Sequence, residues 1–117
     1  MSIPTGLYGN FALTNTEIDA RVGKAIGAYL LGNEIDDQGS LRVRYPGRSD
    51  SDLNGRLKQW VGSYRWFQYG HLPTMQAAFN KECELYHAFG GDHGSLDNSV
   101  HPAKPAGMNC KCPVCGA

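Results

Sequence analysis

No stretch of the chain approaches the roughly 18 consecutive apolar residues that a membrane-spanning helix requires. The opening MSIPTGLYGNF also lacks the basic region and apolar core of a secretory signal. The expectation is a soluble, intracellular protein with no membrane partner. Missing too is any excess of one charge: Lys plus Arg and Asp plus Glu are both 11, so the overall field gives no hint of a nucleic-acid partner. There is no internal repeat, which sets aside solenoids and propellers. With 117 residues the chain is too short for two full domains but long enough to bury a modest core.

What is present is unevenly spread. Arg42, Arg44, Arg48, Arg56, Lys58 and Arg65 face only Asp50 and Asp52 within the same segment, so more than half of the 11 basic residues crowd into about a fifth of the chain. A local positive field can therefore coexist with a neutral whole. The stretch RYPGRSDSDLNGRLKQW, residues 44–60, lies inside this segment and runs from a strand-like lead-in through a glycine turn into an amphipathic helix.

Hydrophobic periodicity places the remaining elements. Residues 1–13 are turn-rich and read as irregular. Thr14 with Glu17 fits a capping box, in which hydroxyl and carboxylate satisfy backbone N–H groups, and predicts a short helix over about 15–24. The apolar run 25–31 reads as a buried strand. Leu41, Val43 and Tyr45 alternate with Arg42 and Arg44, as expected of a strand with one buried face, and the acidic loop 34–39 makes the two strands a hairpin. Pro46 fixes φ and removes an N–H, so Tyr45 is expected to end its strand. Leu53, Leu57, Trp60 and Val61 recur at helical spacing. The aromatic stretch YRWFQY, residues 64–69, reads as a third strand. Pro73 suits the first turn of a further helix whose buried face is Met75, Ala78, Phe79, Leu85 and Tyr86. The expected architecture is α+β, a small three-stranded and mainly antiparallel sheet flanked by helices, with an irregular Cys-rich tail. Divided along the chain, residues 1–24 form an N-terminal segment, 25–99 the main domain and 100–117 the tail.

Glu82 falls within the apolar stripe of the last helix, while Glu84 falls about 200° away on its wet side. A carboxylate facing a core costs several kcal/mol unless it is paired, protonated or bound to a cation. Two readings stand: a salt bridge to a nearby Arg, or a hard-cation ligand or acid/base group at a pocket rim. Arg56 borders the preceding helix's stripe and could point across to a neighbouring element. Tyr29 and Tyr45 sit on adjacent strands of one hairpin, where their hydroxyls can converge.

Gly27-Ala28-Tyr29, Tyr45-Pro46-Gly47, Arg56-Leu57, the helical Glu82 and Leu96-Asp97-Asn98, in that order, resemble the GIY-YIG nuclease superfamily over about residues 25–99. The resemblance implies a three-stranded sheet with flanking helices and hydrolysis of a phosphodiester bond, in DNA sooner than RNA. It assigns Glu82 to one divalent cation, Mg²⁺ or Mn²⁺, and Arg56 to the scissile phosphate. Tyr29 or Tyr45 would orient or deprotonate the attacking water, Asn98 would brace the site, and Arg44, Arg48 and Lys58 would add phosphate contacts. Many members carry a His about one turn after the Arg; here that neighbourhood is Gln59-Trp60. The alternative is a scaffold without chemistry, serving as a nucleic-acid-binding or protein-interaction module, with a protein partner or a second copy of the chain.

Three of the four cysteines, Cys110, Cys112 and Cys115, lie in the last eight residues. Clustered thiols in a reducing compartment point to metal before disulfides. CPVCG has the form of a zinc knuckle; His101 is the candidate fourth ligand to a structural Zn²⁺, with His93, His87 and Cys83 as substitutes.

Overall fold

The computed structural model describes residues 6–89, 96–97, 102 and 112–114. Its centre is a hairpin of β2 (Gly27–Ile35) and β3 (Leu41–Ser49). The Asp36 carboxylate shapes the turn between them, accepting from the backbone N–H groups of Gln38 and Ser40, both at 2.9 Å. The aromatic strand β4 (Trp66–His71) pairs antiparallel with the other side of β2, and β1 (Tyr8–Ala12) pairs antiparallel with β4. The sheet therefore has four strands, in the order β1-β4-β2-β3, where hydrophobic patterning predicts three. The added strand comes from the segment that reads as irregular. Gly9 and Asn10 interrupt its periodicity, and its register on β4 shifts between Tyr8 and Phe11, so pairing rather than patterning makes it a strand.

Three helices flank the sheet: α1 (Asn15–Arg21), α2 (Leu53–Lys58) and α3 (Met75–Ala88). Each begins on a side chain that accepts a backbone N–H, Thr14 from Glu17, Asp52 from Gly55 and Thr74 from Ala77. Thr74 is the cap of α3, so Pro73 lies just before the helix rather than in its first turn. Helix α1 stops at Arg21, short of the expected residue 24, because Val22 is already extended. Helix α2 ends at Lys58, leaving Trp60 beyond its last turn.

Helices α1 and α2 cover one face of the sheet, where Ile18, Val22, Leu53 and Leu57 bury Tyr29, Leu31 and Phe67. Helix α3 covers the opposite face, where Leu85 packs with Leu30, Leu41 and Val43. Among the described residues no helix is long and apolar enough to cross a membrane.

Strand β3 departs from expectation in two ways. It does not end at Tyr45 but continues to Ser49, with Pro46 opposite Leu30; β3 is an edge strand, where a proline is tolerated. Its alternation is also broken. Leu31 pairs with Tyr45, yet Gly32 pairs with Val43, so a bulge inserts Arg44 as an extra residue. Leu41 and Val43 consequently face α3, whereas Tyr45 packs on the α1/α2 face with Tyr29. Strict period-two alternation would put all three on one side.

Phe67 is fully buried on β4 between the helices and the rest of the sheet. Phe67→Ala is expected to lower the unfolding free energy by about 3–5 kcal/mol, measured by urea denaturation, with the denaturant slope unchanged.

Candidate active site

The side chains of Tyr29, Tyr45, Arg48, Asp50, Arg56 and Glu82, with the backbone of Gly47, line one pocket of about 230 Å³ at the β3 edge of the sheet. Four elements supply most of it. Tyr29 comes from β2, Tyr45 and Arg48 from β3, Arg56 from α2 and Glu82 from α3. Tyr29 pairs directly with Gly47 across the hairpin, and its phenol lies over that residue. A Cβ at position 47 would overlap the ring and hydroxyl of Tyr29, so glycine there is what lets the phenol cross β3 to the pocket. The bulge at Arg44 turns Tyr45 to the same side.

Trp60, where the sequence lacks the histidine common in the resembled superfamily, donates its indole N–H to the Tyr29 hydroxyl oxygen at 2.9 Å. Indole is a donor only, so the phenol oxygen is the acceptor and its own hydrogen is not used in this bond. The Trp60 ring also packs on Tyr45, with centroids 4.6 Å apart, and on Tyr64. Burial pushes the Tyr29 phenol well above its usual ionisation range, only partly opposed by the Trp60 bond. Tyr45 is also raised, by burial first and then by the negative charge of Glu82, with Arg56 opposing.

Glu82 is 8 % exposed and takes a hydrogen-bonded ion pair from Arg48 Nη1 at 2.5 Å. The same guanidinium holds Asp50 through Nε at 2.9 Å and lies over the Phe79 ring. Burial works against the Arg48 charge, but Asp50 and Glu82 outweigh it and hold the guanidinium above its ordinary pKa. The salt-bridge reading of Glu82 is therefore realised in the structure. Arg56 is exposed and, among the described residues, makes no ion pair; its nearest polar partner is Gln59 Oε1 at 3.4 Å.

Other expected residues lie elsewhere. Arg44 does not line this pocket; it binds Asp97 at 2.6 Å by its side chain, and its carbonyl accepts the Asp97 N–H. Asp97 also accepts from the Tyr64 hydroxyl, and Tyr64 and Arg44 together hold its carboxyl below the usual range. Lys58 pairs with Asp19 at 2.6 Å, away from the pocket. Asn98, His93, His101, Cys110 and Cys115 lie outside the described residues. Sequence reasoning misses three contributors: Asp50, Gly47 as the bed for Tyr29, and Trp60 as its hydrogen-bond donor. Asp50 does carry a local signal, since it lies two residues after Arg48, just past the end of β3 and within reach of that guanidinium.

Magnesium and manganese are commonly held by one or two carboxylates together with water and phosphate oxygens. The pocket carboxylates Glu82 and Asp50 and the two phenols are hard oxygen donors of that kind. Both carboxylates are paired with Arg48, and among the described residues no group of three or more His, Cys, Asp or Glu side chains converges on a metal position. No protein-family model, no curated protein and no solved structure matches this chain.

Gly47→Ala is expected to cost about 1–3 kcal/mol by forcing the Tyr29 ring aside, read by thermal denaturation. Tyr29 also sets a pH dependence. Its folded pKa exceeds the unfolded value near 10, so its contribution is complete below about pH 10 and is lost as pH rises further. Tyr29→Phe should flatten the alkaline limb of the stability curve; parallel alkaline losses in variant and wild type would contradict this account of the phenol.

Proposed function

We propose that the protein is a divalent-metal-dependent phosphodiesterase, an endonuclease acting on DNA, built like the GIY-YIG nucleases it resembles. The observation that supports this most directly is the pocket itself. Tyr29, Tyr45, Arg56 and Glu82, chosen from the sequence by the order of short motifs, come from four separate elements and line one small cavity. The hairpin alone brings the two phenols near each other; the arginine and the glutamate reach the same cavity from helices α2 and α3.

In this reading Glu82 would hold Mg²⁺ or Mn²⁺ at the pocket wall, and the ion would supply polarisation of a phosphate oxygen and charge stabilisation at the leaving oxygen. The exposed guanidinium of Arg56 pairs with the scissile phosphate and offsets the charge that accumulates there in the transition state. Tyr29 turns its hydroxyl hydrogen away from Trp60, and Tyr45 lies beside it, so the two phenols position a water molecule or a phosphate oxygen. Their raised pKa values argue for positioning rather than proton removal, since a phenol that resists ionisation is a poor base. Arg48 acts as a positioning residue: it fixes the Glu82 carboxylate and cannot at the same time give its full charge to substrate.

The Arg48 pairing also favours a second reading. A pocket whose carboxylate is already neutralised could bind nucleic acid through Arg56 and leave it intact, with a protein partner or a second copy of the chain supplying the address.

Oligonucleotide or plasmid DNA incubated with Mg²⁺ or Mn²⁺ decides between the two. Cleavage should occur, be abolished by Glu82→Ala and fall by about 10²–10³ in kcat for Arg56→Ala. Binding that weakens with salt and with Arg56→Ala, but no turnover in either metal, would replace the nuclease reading with the binding module.

A further inference from the structure

One wall of the pocket continues as a cluster of aromatic rings. Tyr45, which lines the pocket, packs on Trp60 with centroids 4.6 Å apart, and Trp60 packs on Tyr64 at 5.9 Å; Tyr45 and Tyr64 are themselves 6.4 Å apart. Their planes meet at 45–61°, so no ring lies flat on its neighbour. All three remain partly exposed. Trp60 and Tyr64 are pinned by their polar ends, the indole N–H on the Tyr29 hydroxyl oxygen and the Tyr64 hydroxyl on the Asp97 carboxylate. The rings are thus held in place before any ligand arrives, which lowers the ordering cost of binding one.

Tyr64 also lines a second cavity, of about 410 Å³, beside the Ala12 and Trp66 pair where β1 meets β4. Among the described residues, the lining of that cavity holds one charged side chain, Arg65, and no carboxylate. Arg65 is exposed and, among the described residues, makes no ion pair. Asn33 and Ser63 add neutral polar groups. The Asp97 charge beside Tyr64 is met by Arg44 at 2.6 Å. An aromatic wall beside a free guanidinium matches the two parts of a nucleotide, a flat base and a phosphate. Other features of the molecule offer less to an anion. Cys112 is buried against Cys83 and Phe79 of α3, and the hollow of about 650 Å³ at the hairpin turn sets Glu34, Asp36 and Asp97 against Arg42 and Arg44.

We propose that Trp60, Tyr64 and Arg65 form a subsite for an unpaired nucleotide next to the phosphate taken by Arg56, so that the pocket selects DNA with a single-stranded segment over continuous duplex. The rings stack on the base and Arg65 pairs with its phosphate. In a duplex each base turns its faces to the bases above and below, and only an unstacked base offers one to a side chain. Stacking of this kind reads no sequence, because every base has a π-face. The inference rests on the nucleic-acid reading of the pocket and holds whether or not the strand is then cut.

The test uses the full chain and follows binding by fluorescence anisotropy, in Ca²⁺ and with metal chelated, with strand integrity checked on a gel. Three labelled probes of one length are compared: oligo-dT, the same strand paired with oligo-dA, and a chain of abasic sugar-phosphate units. Oligo-dT should bind more tightly than the duplex, and about five- to 150-fold more tightly than the abasic chain, the effect of one stacked base. Tyr64→Phe keeps the ring and should keep this preference, whereas Tyr64→Leu should reduce it. Arg65→Ala should weaken oligo-dT and abasic chain alike and lower the salt slope by about 0.7, the effect of one phosphate contact on a single strand. Equal affinity for oligo-dT and the abasic chain, tighter binding of the duplex, or loss of the preference in Tyr64→Phe would overturn the subsite; if Arg56→Ala still weakens binding, the reading of the pocket survives that result. No affinity for any probe would overturn both together and leave the aromatic cluster to a protein partner.

Discussion

A carboxylate on the core-facing side of a helix must be paired, protonated or bound to a cation, and here Arg48 pairs with it. The pair between Arg48 and Glu82 ties the edge strand β3 to α3, and Asp50 closes the other side of the guanidinium. Removing either member of a buried ion pair leaves an uncompensated charge, which costs more than the pair contributes when intact. The constraint is mutual. Helix α3 cannot slide along β3 without separating the charges, and β3 cannot shift its register without moving Arg48. The pocket is thus held in place by the group that also occupies part of it.

The phenol side depends on a different constraint, one of space. Tyr29 reaches the pocket because Gly47 has no side chain, and Tyr45 reaches it because the sheet is irregular at Arg44. Trp60 then joins the two rings, donating to one hydroxyl and packing on the other ring. These contacts are steric and directional. The charged and aromatic halves meet only at the rim of β3, where one strand contributes Tyr45 to one face and Arg48 to the other.

How much of this is legible in the sequence depends on the range of the interactions. Helix starts are readable because a cap is a local event: Thr14 and Glu17 are three residues apart, and the Thr14 hydroxyl accepts the Glu17 N–H as the motif requires. The buried position of Glu82 is readable because helical periodicity extends over several turns of α3. Strand β1 is not, since five residues broken by Gly9 carry little pattern and are ordered by pairing with β4. The facing of Tyr45 is hidden for the same reason, because a bulge is a property of two strands together. Arg44 and Lys58 look like phosphate ligands in sequence, yet Asp97 and Asp19, distant along the chain, take them up. Local density of one charge reports on a field only when the partners brought in by folding are also counted.

The bulge at Arg44 has a consequence for how this chain can vary. Deleting one residue between Val43 and Tyr45 would remove this bulge and let β3 alternate cleanly, while the second register shift of the hairpin, between Gly32 and Ile35, would remain. It would also turn the side chains on one side of the deletion to the opposite face, either exposing Leu41 and Val43 or carrying Tyr45 away from Tyr29. Sheet regularity and an assembled pocket are therefore competing demands on the same few residues, and length at this point of the chain is held more tightly than the identity of the residue that fills it.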